Sequence, residues 1–363
     1  MMAEADRDRN HPLVSIIIPN FNGGRLAVEC VASILRTDYP NFELLFADNA
    51  STDATLAEIE SLFGKDRRLR IITLERNYAF TGAINIAFKY ARGELIVFMN
   101  NDTIADHEWL SELVKAFLSK PDNGAAQAKL LRMDDPSRLQ YGGGTINTLG
   151  FVMRGRGFDR DEREFDSAYR IFFASGACML TSKKILKEVG LPDVKFLMFD
   201  DADLGWRMRL RGYEVIFVPS ARVLHRGSAT LAGKELDEKR IYQGYFENLA
   251  MLIKNYSLSL VFKTVVQVLL LRSLRILSFV LNGQLKLARA AISGILRVLK
   301  ELKSLWQDHL FIKNNIRKVP DRKIIDLMRN LQVGEMLFGE IFFGTRRLMS
   351  IWSKKARLLI RLG

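Results

Sequence analysis

Apolar runs that stop abruptly at polar or turn-forming residues punctuate the first two hundred positions of the chain. Leu13–Pro19 is a β-branched run broken by Pro19 and the turn-prone Asn20-Phe21-Asn22-Gly23-Gly24, after which Leu26, Cys30, Val31 and Ile34 recur at helical spacing. A strand, a loop and a helix follow from that pattern. It repeats with Phe42–Ala47, the loop Asp48–Asp53 and a helix to about Phe63. It repeats again with Leu69–Leu74, a loop at Asn77 and a helix through Tyr90, and Glu94–Met99 closes the series as a fourth strand. Alternating strands and helices predict an α/β fold, a mostly parallel sheet with helices on both faces.

From Trp109 to about Leu131 the pattern gives another helix and another apolar strand. Asp134–Tyr169 then changes character: Gly142-Gly143-Gly144, Gly150, Gly155 and Gly157 among alternating charges predict a long, mobile functional loop or short antiparallel strands rather than core. Phe172–Thr181 is apolar with small residues, Ser182–Val189 reads as a short helix, and Asp201–Arg211 as a helix with Leu204 and Met208 on one face. Glu214–Val218 is the last strand expected.

Beyond Lys239 the pattern is almost wholly helical. Its longest uncharged apolar stretches, Asn255–Phe262, Thr264–Leu271 and Ile276–Leu285, each fall short of the roughly 20 residues a membrane span needs. Treated as one helix at about 100° per residue, the region gathers Arg272, Arg275, Lys286, Arg289, Arg297 and Lys300 on one side and Leu, Ile, Val and Phe on the rest, with Gly283 and Gly294 as possible breaks. This predicts a basic amphipathic element lying in the plane of an anionic membrane surface. The competing expectation is a helix packed on its own domain or on a partner chain.

Composition sharpens the division. The chain has 363 residues and a net charge of +13, but residues 1–230 hold 30 Lys and Arg against 31 Asp and Glu, whereas residues 231–363 hold 24 against 10. A basic half interleaved with leucine and valine, with few aromatic residues in its stripe, points to lipid rather than nucleic acid. Cys30 and Cys178 lie far apart in apolar surroundings, as reduced core thiols do, and the polar MMAEADRDRNHP lacks a secretory signal. The expected organisation is a flexible N-terminus over 1–12, a catalytic domain over 13–237 divided near 131, and a basic helical tail over 238–363. The expected setting is the cytoplasm, peripheral on the inner face of the cell membrane.

Three acidic clusters sit where apolar runs stop: Asp48, Asn100-Asn101-Asp102 and Asp200-Asp201-Ala202-Asp203. Open α/β sheets bind ligands at the carboxyl edge of their strands, and neighbouring carboxylates need a cation or a proton between them. Asp102, directly after a strand, is the candidate ligand of a divalent cation that would bridge nucleotide phosphates. Asp48 would accept hydrogen bonds from a base or ribose, and Phe21 offers a ring for stacking. Asp203 suits the bland role of favouring a helix N-terminus, while a second carboxylate of its cluster could act as general base. His225 is one of four histidines and either completes a metal shell or is structural.

The ordered set VSIIIPNFNGG, FADNASTDAT, RNYAFTGAINIAFKYARGELIVFMNNDT, SGACML, FDDADLGWRMRLRGYEV and VLHRGSAT resembles the family 2 inverting glycosyltransferases, in their rhamnosyltransferase-like branch, over about residues 13–256. The resemblance implies a GT-A fold with a Rossmann-like nucleotide-binding half, a nucleoside-diphosphate sugar donor and a divalent metal, Mg²⁺ or Mn²⁺. Pro19, Phe21 and Asp48, with Asn49 beside them, match positions that hold the nucleotide. Asn77 and Asn85 fall in the donor-binding segment. Asn100-Asn101-Asp102 matches the Asp-x-Asp motif, giving Asp102 the metal and Asn100 the ribose side. Asp201 matches the catalytic base, with Asp200 in place of the motif's Glu, and His225 the late histidine near the metal. Asn100 removes one charge from the motif. The acceptor implied is a lipid-linked or cell-surface glycan. The alternatives are a sugar-nucleotide nucleotidyltransferase, which would carry a Gly-rich, Arg-containing loop where Asn20–Gly24 stands, and a non-catalytic membrane-associated protein that binds sugar nucleotides.

Overall fold

The computed structural model describes residues 11–153, 157–227 and 237–328. The expected flexible terminus over 1–12, all but its last two residues, and Ser228–Thr230 of the last motif lie outside them.

Four parallel strands form as the apolar runs predict: β1 (Val14–Asn20), β2 (Phe42–Asp48), β3 (Leu69–Thr73) and β4 (Leu95–Met99), in the order β3-β2-β1-β4. Helices α1 (Gly24–Leu35), α2 (Thr55–Phe63) and α3 (Ala79–Ala87) connect them. Every residue of β1, β2 and β4 is buried, which is why these strands read as unbroken apolar runs rather than alternating ones. Parallel pairing in register brings Asn20 beside Asp48 at one sheet edge.

Past β4 the sheet becomes mixed. A short strand β5 (Thr103–Ala105) and helix α4 (Trp109–Leu118) lead to β6 (Asn123–Arg132), then the small strands β7 (Leu139–Tyr141) and β8 (Tyr169–Arg170), and β9 (Cys178–Ser182). Strand β9 runs antiparallel between β4 and β6. Helices α5 (Lys183–Val189) and α6 (Asp200–Arg211) precede β10 (Glu214–His225), which lies parallel to β6 and antiparallel to β5. The last strand therefore does not end at Val218. A register shift between Val218 and Arg222 absorbs Pro219, whose missing N–H would break a regular ladder, and the strand continues to His225.

The glycine-rich segment also departs from expectation. Leu139, Ile146, Leu149 and Phe165 are in the core, and a fully buried Lys129 ties the segment down through Glu162 at 2.5 Å and Asp166 at 2.7 Å. Short antiparallel pairings, the second of the two options, are what form.

The C-terminal helices are α7 (Glu238–Asn255), α8 (Leu258–Leu281), α9 (Leu285–Lys300), α10 (Leu302–Phe311) and the short α11 (Asp321–Ile325). Phe246, Leu249 and Leu252 of α7, with Tyr256 just after it, share one hydrophobic cluster with the sheet, so the tail expected from 238 begins with a helix packed into the core of the sheet domain. All three apolar stretches contribute to α8, which at 24 residues is by length and composition apolar enough to cross a membrane. Gly283, at φ +72°, separates α8 from α9; Gly294 divides nothing, because a side chain there would strike the backbone of Tyr242 on α7.

The part of the predicted basic stripe that lies on α8 faces inward rather than out. Helix α8 buries Thr264, Val268, Arg272, Arg275 and Phe279. The Arg272 guanidinium stands 4.6 Å from the Phe151 ring and 4.1 Å from that of Tyr245, while Arg275 lies over Phe279. Planar, weakly hydrated guanidinium groups are at home on aromatic faces, so these arginines pack inward while Phe262, Leu270, Leu277 and Leu281 point out. Lys286, Arg289 and Lys300 of α9 remain exposed.

Candidate active site

One cleft of about 830 Å³ opens at the carboxyl ends of β1 and β4 and is closed on the far side by α6 and the start of α7. Of the residues singled out from sequence, Phe21, Asn100, Asn101, Asp102, Asp200 and Asp201 line it. Phe21 is 47% exposed at its rim, free to take a planar ring. Asn101 donates to Asn20 Oδ1 at 2.7 Å, and a side chain at Gly23 would collide with both residues, so the first loop and the Asn100–Asp102 turn are locked together by close approach.

Asp48, Asn49 and Asn77 lie beneath the cleft and shape its wall. Asp48 is almost fully buried and accepts from Ser51 Oγ at 2.5 Å, Ser51 N at 3.1 Å and Asn20 Nδ2 at 3.1 Å. Asn49 accepts from Tyr78 N at 2.8 Å and donates to Ala79 O at 3.1 Å, and Asn77 accepts from Ala79 N at 2.8 Å. Together they hold Ala79 at φ +58°, a strained backbone for a residue with a side chain, where the chain turns into α3 along the cleft. Pro19 is buried in β1. Asn85 is outside the site: its amide donates to Pro192 O at 2.9 Å, bridging α3 to the loop after α5.

His225, at the end of the extended β10, places Nε2 3.2 Å from Asp102 Oδ1 and 3.2 Å from Asn100 Nδ2. Its other nitrogen faces Gln140 Oε1 in a short contact, and Gln140 Nε2 donates to His225 O at 3.0 Å. That second bond orients the amide, so Nδ1 donates to Gln140 and Nε2 is the nitrogen turned towards the Asp102 carboxylate and Asn100. At that separation the space between Nε2 and the carboxylate holds either a proton on Nε2 or a cation in its place. A carboxylate, an imidazole fixed by a second residue and a neutral amide fit a divalent cation as a partial shell. Among the described residues no third His, Cys, Asp or Glu joins them. Burial would raise Asp102, but the hydrogen bond and charge of His225 outweigh it and hold the carboxyl below its ordinary range.

The second acidic centre is shifted the opposite way. Asp200 and Asp201 sit half-buried at the N-terminus of α6, with Asp201 Oδ1 accepting from Ala202 N at 2.8 Å. Desolvation, then the charge of Glu247, pushes Asp200 up to about 7; desolvation, then Asp200, raises Asp201. Two raised carboxyls side by side favour sharing a proton over carrying two charges. Asp203 does not have the bland role expected: it is fully buried and bonds Arg207 at 2.9 Å, Lys254 at 3.2 Å and Asn255 at 2.8 Å, pinning α6 to α7.

Sequence reasoning missed Gln140, Arg226, Lys239 and Arg240. The last three line the cleft beside Asp102 and Asp201. Arg226 follows His225 directly and donates its N–H to Asp102 O at 3.0 Å; a cation adjoining a candidate ligand was the available signal. Gln140 gave none, because only tertiary packing brings β7 under His225.

The model of the family described as Glycosyl transferase family 2 matches residues 15–190. The chain is 33% identical over 239 residues to an uncharacterized protein of Sinorhizobium fredii, covering 63% of this chain and 26% of that one. It is 30% identical over 249 residues to the O-antigen biosynthesis protein RfbC of Myxococcus xanthus, covering 65% and 19% respectively. It thus spans about a quarter or less of the length of those two relatives. Among solved structures, the mannosyltransferase PcManGT from Pyrobaculum calidifontis, in complex with GDP-Man and Mn²⁺, matches with a TM-score of 0.51 over 95% of this chain and 88% of that one, at 14% identity. Residues 15–190 thus form a domain of glycosyl transferase family 2, and the mixed α/β sheet has the GT-A fold.

Proposed function

We propose that the protein is an inverting glycosyltransferase that moves a sugar from a nucleoside-diphosphate sugar to a hydroxyl of a lipid-linked or cell-surface glycan. The observation that carries this reading is two acidic centres with opposite shifts facing one cleft: Asp102 held low beside His225, and Asp200–Asp201 raised. Carboxyl groups driven apart in this way suit one to charge neutralisation and the other to proton transfer.

In the proposed reaction Phe21 stacks on the base, and the wall built by Asn49 and Asn77 seats the ribose and sugar. Arg226, Lys239 and Arg240 bring positive charge to the diphosphate. Asp201, sharing its proton with Asp200, takes the proton of the acceptor hydroxyl as that oxygen attacks the anomeric carbon. The bond to the diphosphate oxygen breaks on the opposite side, so one displacement inverts the centre. A divalent cation held by Asp102 and His225, with Asn100 alongside, would stabilise the charge on the departing diphosphate. Arg25, the first basic residue after the opening loop, is exposed and paired with Glu29 at 2.7 Å, which speaks against a nucleotidyltransferase.

The sequence resemblance puts deoxythymidine-diphosphate rhamnose first among donors to try. The O-antigen relative supports an envelope glycan as product. Outward leucines on α8 and α9, with eight Lys and Arg against two acidic residues over 258–311, support attachment to anionic lipid on the cytoplasmic side. The test is donor hydrolysis across a panel of nucleotide sugars with Mg²⁺ or Mn²⁺. Turnover of one donor that disappears in Asp201→Asn, while that variant still binds the nucleotide, is expected. Undiminished turnover by Asp201→Asn would overturn the assignment.

A further inference from the structure

The loop that delivers the candidate base to the cleft is held from below by a carboxylate on a helix of the C-terminal region. Glu247 of α7 is fully buried. Its two oxygens accept three consecutive backbone N–H groups, from Leu197 at 2.6 Å, Met198 at 3.1 Å and Phe199 at 2.8 Å. Phe199 is the residue immediately before Asp200. A buried carboxylate facing a row of amide donors is a strong, directional clamp, because hydrogen bonds to an ionised acceptor are short and leaving buried amides unpaired is costly.

The clamp continues outward. Gln243 Nε2, one turn earlier on α7, donates to Glu247 Oε1 at 2.5 Å and to Lys195 O at 3.0 Å. Arg297 Nη1 of α9 donates to Gln243 Oε1 at 3.1 Å, and its guanidinium rests 3.7 Å from the centre of the Phe246 ring. A continuous line of hydrogen bonds therefore joins α9, whose outer face carries exposed Leu296 and Leu299, to the backbone that presents Asp200 and Asp201.

We propose that Glu247 is a positioning residue that sets the placement of the Asp200–Asp201 pair, with Gln243 and Arg297 holding it from α9. This rests on the glycosyl-transfer reading for its kinetic consequence and on the hydrogen bonds alone for its structural one. Beyond placement, Glu247 has the largest charge effect on Asp200, and Asp203 acts on it from within α6. Arg226 just after β10, Asp237 just before α7, and Lys239 and Arg240 on α7 face the same cleft. Replacing Glu247 by glutamine removes one negative charge from this set, so the pair should ionise at lower pH.

The experiment compares wild type, Glu247→Gln, Glu247→Asp and Arg297→Met by amide hydrogen exchange and by hydrolysis of deoxythymidine-diphosphate rhamnose and uridine-diphosphate glucose over a range of pH. In Glu247→Gln the amides of Leu197, Met198 and Phe199 should lose about tenfold or more of their protection while those of β4 keep theirs. Donor kcat should fall about 10- to 100-fold with KM changed less than about threefold, and the acid limb should move to lower pH. Glu247→Asp should recover part of kcat and return the acid limb towards wild type, and Arg297→Met should show the same losses at a smaller scale. Unchanged protection at 197–199, or a fall in kcat with no move of the acid limb, would overturn the proposal. If Glu247→Gln does not fold, Glu247→Asp decides: protection lost evenly across the chain rather than at 197–199 would overturn it. Should wild type hydrolyse neither donor, the exchange pattern still decides whether the clamp exists, and only the glycosyl-transfer reading is placed in question.

Discussion

The parallel half of the sheet and the C-terminal helical layer are both apolar, yet their surfaces obey opposite rules. In β1, β2 and β4 every side chain is inside, and the polar residues there are Ser15 and Glu43, bonded to each other at 2.6 Å near the start, and Asn20 and Asp48 where the strands end. In α8 two arginines are inside and the leucines are out. The sheet closes its apolar surface against its own helices; the helical layer leaves its apolar surface open and satisfies its buried cations on aromatic rings. What differs is where the covering surface comes from: the sheet's is supplied by its own helices, whereas the outer faces of α8 and α9 carry exposed leucines.

The largest effect should come from the chemical end. Asp201→Asn is expected to lower kcat about 10²- to 10⁴-fold while nucleotide affinity, measured by calorimetry, stays within about twofold. In wild type the raised pair should place the acid limb of the rate profile near pH 7 rather than in the ordinary carboxylate range, with activity lost as pH falls because the base becomes protonated. A limb near pH 4 would show that the pair is not the base.

Next is the support of the metal site. Gln140→Leu leaves Asp102 and His225 in place but frees the imidazole to rotate, so Mn²⁺ affinity read by electron paramagnetic resonance should weaken about 10- to 100-fold. Unaltered affinity would mean that β7 has no part in the site.

The helical layer supplies the sharpest contrast. Arg272→Met keeps the apolar stem but loses the cation over two rings, and should cost about 2 kcal/mol of stability, read as a lowered thermal midpoint. Leu270→Ser with Leu277→Ser should leave the midpoint nearly unchanged and reduce sedimentation with anionic vesicles. If the arginine variant instead lost vesicle binding and kept its stability, the two faces would be reversed. The smallest effect is expected for Phe21→Ala at the half-exposed rim, about 1 kcal/mol of nucleotide affinity.

Legibility in the sequence followed burial. Asp102 and Asp201 could be found because each ends or follows an apolar segment, and a carboxylate there has few structural duties. Asp203 looked dispensable beside them, yet it is the partner of Arg207 and Lys254. Asn85 was misplaced because helical position alone does not say which neighbour its amide meets. Glu247 was invisible: an acidic residue within an ordinary helix gives no sign that three amides from fifty residues upstream converge on it.

Local pattern therefore determined the four parallel strands, their order with the helices between them, and the carboxylates at their ends, since period, turn chemistry and abrupt polarity changes are properties of neighbours along the chain. Tertiary structure alone decided the mixed half of the sheet, the orientation of the His225 ring, the clamp under Asp200 and Asp201, and which side of α8 faces in. Each of those depends on a group brought from a distant segment, and the free energy of a buried charge is fixed by what surrounds it in space.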